Sequence, residues 1–293
     1  MKGRYNLSKK KNRTKKESHI SCEKEAFPLQ EKTYFILKWI AIISLLIDLI
    51  ANTFSIIGDI PNIIYIVTGY IGRIAIPIFL FLSVECYHHT QHKGKHLLRL
   101  FLLAIISEIP YDYLRTGEWF NLGQQNGIFT LTLTFIMLIV YDLPIERFIK
   151  NMRPTIKDDN KILKAYMFLY RANVIGIFSV ISMFALFETS WYGVLFAGLL
   201  NAARTKKRRY LWTALSFIIL ILPTISYNRY SLGAIIALPM LIIASYKDKK
   251  LSKDKTERPS ALQSKTIKII SRYIYPISLF ALGAITLTIS NIK

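Results

Sequence analysis

Polar and ionisable side chains recur at helical spacing inside apolar stretches of this chain. Ser44, Asp48 and Asn52 are spaced by four residues, so they share one face of a helix. Arg73 lies in GYIGRIAIPIF, where Pro77 has no N–H to bond the Arg73 carbonyl, which predicts a kink beside the guanidinium. A buried carboxylate can act as a base and a guanidinium can stabilise an oxyanion. We expect an Arg73–Asp48 ion pair, because it would make both charges tolerable among apolar residues.

Three later stretches carry more polar groups. Glu108 and Asp112 are one turn apart in SEIPYDYL, QQNGIFTLTLTF carries a polar stripe at spacing four, and Glu188 precedes SWYGV. Polar faces on several helices predict a shared cavity biased towards the extracytoplasmic leaflet, although a salt-bridge network that only fixes helix packing would use the same residues. The catalytic candidates are Asp48, Arg73, Glu108 and Asp112, and the substrate-binding candidates are Asn126, Thr130, Glu188 and Tyr192.

A second polar segment, VECYHHTQHKGKHLLR, mixes histidines with cations. Its histidines at 88, 92 and 96 have helical spacing, but Gly94 interrupts the helix and no paired carboxylate completes a metal site, so no metal is expected. An anion pocket for the phosphates of a coenzyme is one interpretation, with Glu85, His88 and Arg99 as cofactor-binding candidates. The other interpretation is that these are ordinary interfacial residues beside lipid headgroups.

The elements that carry these residues are long apolar runs. The chain has 293 residues, 52% of them hydrophobic, and a net charge of +21. Charge and apolar residues alternate in blocks, and several apolar runs exceed the ~20 residues that cross a hydrocarbon core. The predicted fold class is all-α, a polytopic transmembrane bundle of about nine spans: 34–58, 63–87, 97–113, 127–143, 172–188, 190–203, 210–225, 231–246 and 269–290.

The basic residues indicate the orientation. Most of the 39 Lys and Arg fall in the head, residues 1–33, and in alternate loops, including RTKKRR (204–209) and 247–268. This bias predicts an amino terminus inside the cytoplasm and a multi-pass protein of the plasma membrane. We expect a disordered head, one membrane domain over 34–293, and the bilayer rather than nucleic acid as the partner of the basic segments.

The order of motifs resembles the TraX family. The matching segments are LKWIAIISLLIDLIA, GRIAIPIFLFLSVE, LLRLFLLAIISEIPYD and QNGIFTLTL, within residues 36–142, and more weakly WYGV and RYIYPISLF. The resemblance implies a multispanning bacterial membrane protein linked to conjugation and pilin acetylation. It therefore implies acetyl-CoA as cosubstrate, and a pilin-like protein or surface polymer as acceptor. Matching positions are Asp48, Gly72, Arg73, Pro77, Glu85, Arg99, Pro110, Asp112, Asn126 and Thr130.

Two departures from the family pattern affect the chemistry. Leu49 and Ser278 stand where the family has histidines. Acyl transfer needs a base for the nucleophile's proton, so Asp48, Glu108 or Asp112 would have to serve, or the chain is non-catalytic. The leading hypothesis is a membrane-bound acetyltransferase. A non-catalytic factor for pilus assembly or conjugation and a small-solute transporter are the alternatives.

Overall fold

The computed structural model describes residues 31–57, 61–123, 125–143, 160–204, 209–227, 229–251 and 265–290. Over these ranges the chain is helical and contains no strand, apart from one isolated bridge between Gln125 and Phe187. The predicted disorder of the head falls almost wholly outside the described residues, as does the middle of the 247–268 loop.

Ten α-helices and one 3-10 helix lie in the described part of the chain. In order they are α1 Glu31–Ile57, α2 Asn62–Gly72, α3 Ala75–His89, α4 Lys93–Thr116, α5 Gly127–Tyr141, α6 Asn160–Phe184, α7 Ser190–Ala203, α8 Arg209–Tyr227, the 3-10 helix Arg229–Ile236, α9 Ala237–Leu251 and α10 Lys265–Ser290.

The predicted segments fall on these helices, with two corrections. The fifth segment, predicted to begin at 172, belongs to α6, which already begins at Asn160. The eighth, predicted over 231–246, begins as a 3-10 helix and becomes α-helical only at Ala237. Within the described ranges, three helical stretches are long and apolar enough to cross a membrane: Thr33–Phe54, Asn62–His89 and Ile162–Phe184. The count of nine spans and the sidedness remain predictions.

The predicted kink is confirmed between α2 and α3. Helix α2 ends at Gly72, Arg73 and Ile74 form a turn, and α3 begins at Ala75. Pro77 stands in the first turn of α3, where a missing N–H costs nothing, and the break falls four residues before it, where its ring would crowd a continuous helix. The break places the backbone of Arg73 outside regular helix.

Helix α3 is the centre of the bundle. It packs against α1, α5, α7 and α9, and its apolar side chains are buried on all faces, among them Ile78, Leu80, Phe81, Leu82 and Val84. We call the end of the bundle that holds Arg73 the outer end. The end that holds Glu85 is the inner end.

Helix α4 has its polarity reversed relative to a helix of a water-soluble protein. Its exposed side chains include Phe101, Leu102, Ile105, Ile106 and Ile109. Its polar residues point inward: Ser107, Glu108 and Asp112 are buried. Lipid tails solvate the exposed apolar side chains well and would solvate the buried polar side chains poorly. The bundle is therefore a helical membrane domain.

Candidate functional site

Arg73 contacts a carboxylate from the opposite half of the sequence. Its Nη1 lies 3.8 Å from Oε1 of Glu188, which belongs to the turn between α6 and α7. Both side chains remain partly accessible, at 31% for Arg73 and 21% for Glu188. Among the described residues, Glu188 is the carboxylate within ion-pair distance of Arg73, whereas Asp48, the expected partner, attracts the guanidinium without reaching that distance.

Asp48 lies beside this pair. Its carboxylate interacts electrostatically with both Arg73 and Glu188, and the Asn52 side chain donates a hydrogen bond to the Asp48 backbone carbonyl at 2.9 Å. Gly72 makes the approach possible, because a Cβ at that position would overlap the Asp48 side chain. A guanidinium thus lies near two carboxylates at the break between α2 and α3. We call Asp48, Arg73 and Glu188 the outer triad.

The turn that carries Glu188 has an unusual backbone. Leu186 and Ser190, on either side of it, have positive φ angles of 54° and 48°. This backbone conformation costs energy for residues other than glycine. The turn is anchored at Gln125, whose N–H donates to the Leu186 carbonyl at 3.1 Å and whose carbonyl accepts from the Glu188 N–H at 3.2 Å. The surrounding structure therefore holds Glu188 in place, at some cost in strain.

Two tyrosines from other helices extend the cluster. Tyr275 of α10 interacts electrostatically with Asp48, Glu108 and Glu188. Tyr111 of α4 interacts with Glu108 and Glu188 and accepts a hydrogen bond on its hydroxyl from Arg115 at 2.8 Å. The outer end therefore gathers polar groups from α1, the α2–α3 break, α4, the α6–α7 turn and α10.

Glu108 holds another candidate residue in place. Its Oε2 accepts from the Asn126 side chain at 2.5 Å and from the Asn126 backbone N–H at 3.2 Å. Asn126 also donates to the Ala104 carbonyl and caps α5 by accepting from the Ile128 N–H at 2.9 Å. Both side chains are buried, so this contact fixes the start of α5 against α4.

The remaining outer candidates occupy separate places. Thr130 is buried, with its hydroxyl lacking a hydrogen-bond partner among the described residues. Asp112 accepts the Asn121 N–H at 2.9 Å. Tyr192 packs against the hydrophobic core. The outer triad is thus the part of the candidate set that combines opposite charges with access from outside.

The inner candidates separate in the structure. Glu85 is fully buried and pairs with Arg209 and with Arg204, whose Nε lies 3.5 Å from Glu85 Oε1. His88 is exposed, and its Nε2 lies 2.6 Å from Oδ1 of Asn201. Arg99 is exposed on α4. Glu85 forms its ion pairs with two arginines of this chain, so its carboxylate positions those arginines. Of the three inner candidates, only the exposed His88 and Arg99 could contact the phosphates of a ligand.

Sequence reasoning missed the roles of Arg204 and Arg209. Both belong to RTKKRR, which the positive-inside rule explained as an orientation signal. The missed signal was Glu85 itself, since a carboxylate in a long apolar helix needs a cation. Within the described residues, no group of His, Cys, Asp or Glu could hold a metal ion.

Comparison with known proteins decides the family. Residues 34–286 match the family described as "TraX protein". The chain belongs to the TraX family. It is 30% identical over 113 residues to the "Probable fimbrial assembly protein FimC, serogroup H1" of Dichelobacter nodosus, an alignment that covers 36% of this chain and 45% of that protein. The chain thus matches less than half the length of this curated relative. No solved structure matches it significantly.

At two positions where the resemblance to the TraX pattern implies histidines, this chain carries Leu49 and Ser278. Leu49 follows Asp48 directly on α1. Ser278 is three residues after Tyr275 on α10, and its hydroxyl donates to the Tyr275 carbonyl at 2.7 Å. Both positions therefore lie next to residues of the outer end, Leu49 beside Asp48 and Ser278 beside Tyr275.

Proposed function

We propose that this TraX-family protein is an integral membrane acetyltransferase that takes its acetyl group from acetyl-CoA. In this proposal the amino terminus is cytoplasmic, about nine helices span the plasma membrane, and the acceptor is a pilin-like protein or a surface polymer at the outer end. The observation that carries the proposal is the Arg73–Glu188 pair beside Asp48, which combines opposite charges with partial accessibility.

The outer triad suits acyl transfer to an amine or a hydroxyl. The Glu188 carboxylate accepts the proton of the nucleophile, because it is more accessible than the buried Glu108 and Asp112. The Arg73 guanidinium stabilises the oxyanion that forms when the nucleophile adds to the acetyl carbonyl. When this intermediate collapses, the C–S bond breaks and the coenzyme leaves as a thiolate, which takes the proton held by Glu188. Asp48, on the α1 side, orients the guanidinium. Glu108 is a positioning residue in this scheme, since it holds Asn126.

The donor would enter from the inner end. Exposed His88 and Arg99 are the proposed contacts for the phosphates of the coenzyme, whereas buried Glu85 only positions Arg204 and Arg209. Arg73 and Glu85 are twelve residues apart along a nearly continuous helix, or roughly 18 Å at 1.5 Å per residue. A coenzyme held by its phosphates at the inner end would therefore have to extend over about this distance to bring its thioester near Arg73.

The test is transfer of label from radiolabelled acetyl-CoA to an acceptor in membrane extract. Wild-type protein is expected to label an acceptor, and Arg73→Gln to label it about 10²-fold more slowly, the usual cost of removing an oxyanion donor. Arg171→Gln is the matched control, because Arg171 lies over the Tyr141 ring at the inner end, outside the outer triad. Equal rates for wild type and Arg73→Gln would contradict the assignment.

A second candidate function is a non-catalytic factor for pilus or fimbrial assembly. It is favoured by the name of the Dichelobacter nodosus relative and by the replacement of both histidines at Leu49 and Ser278. This candidate predicts that the protein does not bind coenzyme A. A calorimetric titration of the purified protein in detergent separates the two, since low-micromolar binding of coenzyme A would count against it.

A further inference from the structure

A cavity lies at the outer end of α4, apart from the outer triad. It has a volume of about 260 Å³ and is lined by Asp112, Arg115, Thr116, Asn121 and Gly123. We propose that it binds the headgroup of a phospholipid that carries a primary ammonium next to its phosphate. The volume is slightly below that of pockets for drug-sized ligands, which suits a headgroup.

The cavity contains one group of each charge. Asp112 is 2% exposed, and one of its carboxylate oxygens accepts the Asn121 N–H, so the second has capacity for an ammonium. Arg115 is exposed, and its Nη1 is fixed by the Tyr111 hydroxyl at 2.8 Å. Asp112 and Arg115, three residues apart on α4, attract each other electrostatically but are not within ion-pair distance in the described part of the chain. A ligand with separated charges can therefore pair with each of them.

The residues around the cavity place it at the depth of lipid headgroups. Trp119, Phe120 and Leu122 belong to the loop that lines the cavity, and they are 58%, 70% and 70% exposed. Trp119 stacks on the Tyr113 ring with centroids 4.8 Å apart. Exposed aromatic side chains at the end of a membrane helix are typical of the interface between acyl chains and water. A lipid in the cavity would have its acyl chains beside these apolar groups.

The charges also select the headgroup. A primary ammonium has three N–H donors for the Asp112 carboxylate, whereas the methyl groups of choline have none. A glycerol headgroup supplies no positive charge. An ethanolamine phospholipid satisfies both charges, with its phosphate on Arg115.

The test uses full-length protein in detergent and native mass spectrometry. Short-chain phosphatidylethanolamine, phosphatidylcholine and phosphatidylglycerol with identical acyl chains are titrated separately. Free phosphoethanolamine and inorganic phosphate serve as competitors. Phosphatidylethanolamine is expected to bind about fivefold more tightly than the other two lipids, as one charge-assisted hydrogen bond in a partly wet site allows. Phosphoethanolamine should compete better than inorganic phosphate.

Two variants assign the contacts. Asp112→Asn keeps an oxygen for the Asn121 N–H and is expected to bring phosphatidylethanolamine binding down to the level of phosphatidylcholine. Arg115→Gln changes an exposed side chain, so the variant should fold. It is expected to weaken the binding of all three lipids about threefold or more. Asp142→Asn and Arg171→Gln, at the inner end, are the matched controls.

Three results would overturn the site: equal affinity for the three lipids, a phosphatidylethanolamine preference that survives in Asp112→Asn, or unchanged binding in Arg115→Gln. Competition by inorganic phosphate as strong as that by phosphoethanolamine would reduce the cavity to a simple anion site. The lipid proposal does not depend on acetyl transfer, so either proposal can fail alone.

Discussion

Arg73 Nη1 and Glu188 Oε1 lie 3.8 Å apart at the outer end of the bundle. One residue stands at the break between α2 and α3, and the other in a turn whose flanking residues, Leu186 and Ser190, have positive φ angles. Irregular backbone within a membrane bundle is tolerated where protein surrounds it or where it lines a cavity. These two irregular segments, which meet through opposite charges, are therefore the best candidate for the functional site of this protein.

The first prediction concerns how Arg73 and Glu188 act together. Arg73→Gln and Glu188→Gln should each lower acetyl transfer strongly, and the double variant should be little worse than either, because both act on one transition state. The thermal stability of each should change little, since a partly exposed ion pair contributes about 0–1 kcal/mol. Multiplicative losses of activity in the double variant would indicate two independent roles.

The second prediction concerns the inner end. Glu85→Gln removes the charge that Arg204 and Arg209 share, and all three side chains are buried. Loss of one partner leaves uncompensated charge in a site of low dielectric constant, which costs about 3–5 kcal/mol. A thermal-shift measurement in detergent should therefore show a large destabilisation. Glu118→Gln, a change at an exposed carboxylate, is the control. Equal melting temperatures for the two variants would contradict the role of Glu85 in holding Arg204 and Arg209.

The third prediction concerns the contact between α1 and α2. Gly72→Ala would place a methyl group on the Asp48 side chain, whereas Gly176→Ala on α6 meets open space. We expect Gly72→Ala to destabilise the bundle by about 1–3 kcal/mol and to lower acetyl transfer, because Asp48 has to move. Gly176→Ala should be neutral or slightly stabilising. If both variants behave like wild type in thermal shift and transfer, Asp48 does not pack against Gly72 as described.

The positions of the helices could be predicted because apolar runs and turn residues are local in the sequence. The kink at Arg73 was predictable for the same reason, since Pro77 acts on the preceding turn alone. The start of α6 was not, because Lys161 and Lys164 read as loop charges, although α6 includes both. A cation at the end of a membrane helix can reach the interface with its long side chain, so charge alone does not end the helix.

Side-chain partners were harder to predict than elements. Asp48 appeared to be the natural partner of Arg73, since both lie in the first two apolar runs. The choice of Glu188 depends on how the α6–α7 turn folds against Gln125, which no local pattern encodes. The ion pairs of the buried Arg204 and Arg209 were not predicted for a different reason. The positive-inside rule already explained every charge in their segment.

The measurement that tests the central claim most directly compares Glu188→Gln with Glu118→Gln in the acetyl-CoA transfer assay. Both carboxylates belong to outer-end connections, but only Glu188 contacts Arg73 in the described structure. With Glu188 as the base, Glu188→Gln should lower the transfer rate by about 10²-fold or more, and Glu118→Gln should retain the wild-type rate. Wild-type transfer by Glu188→Gln would contradict the account.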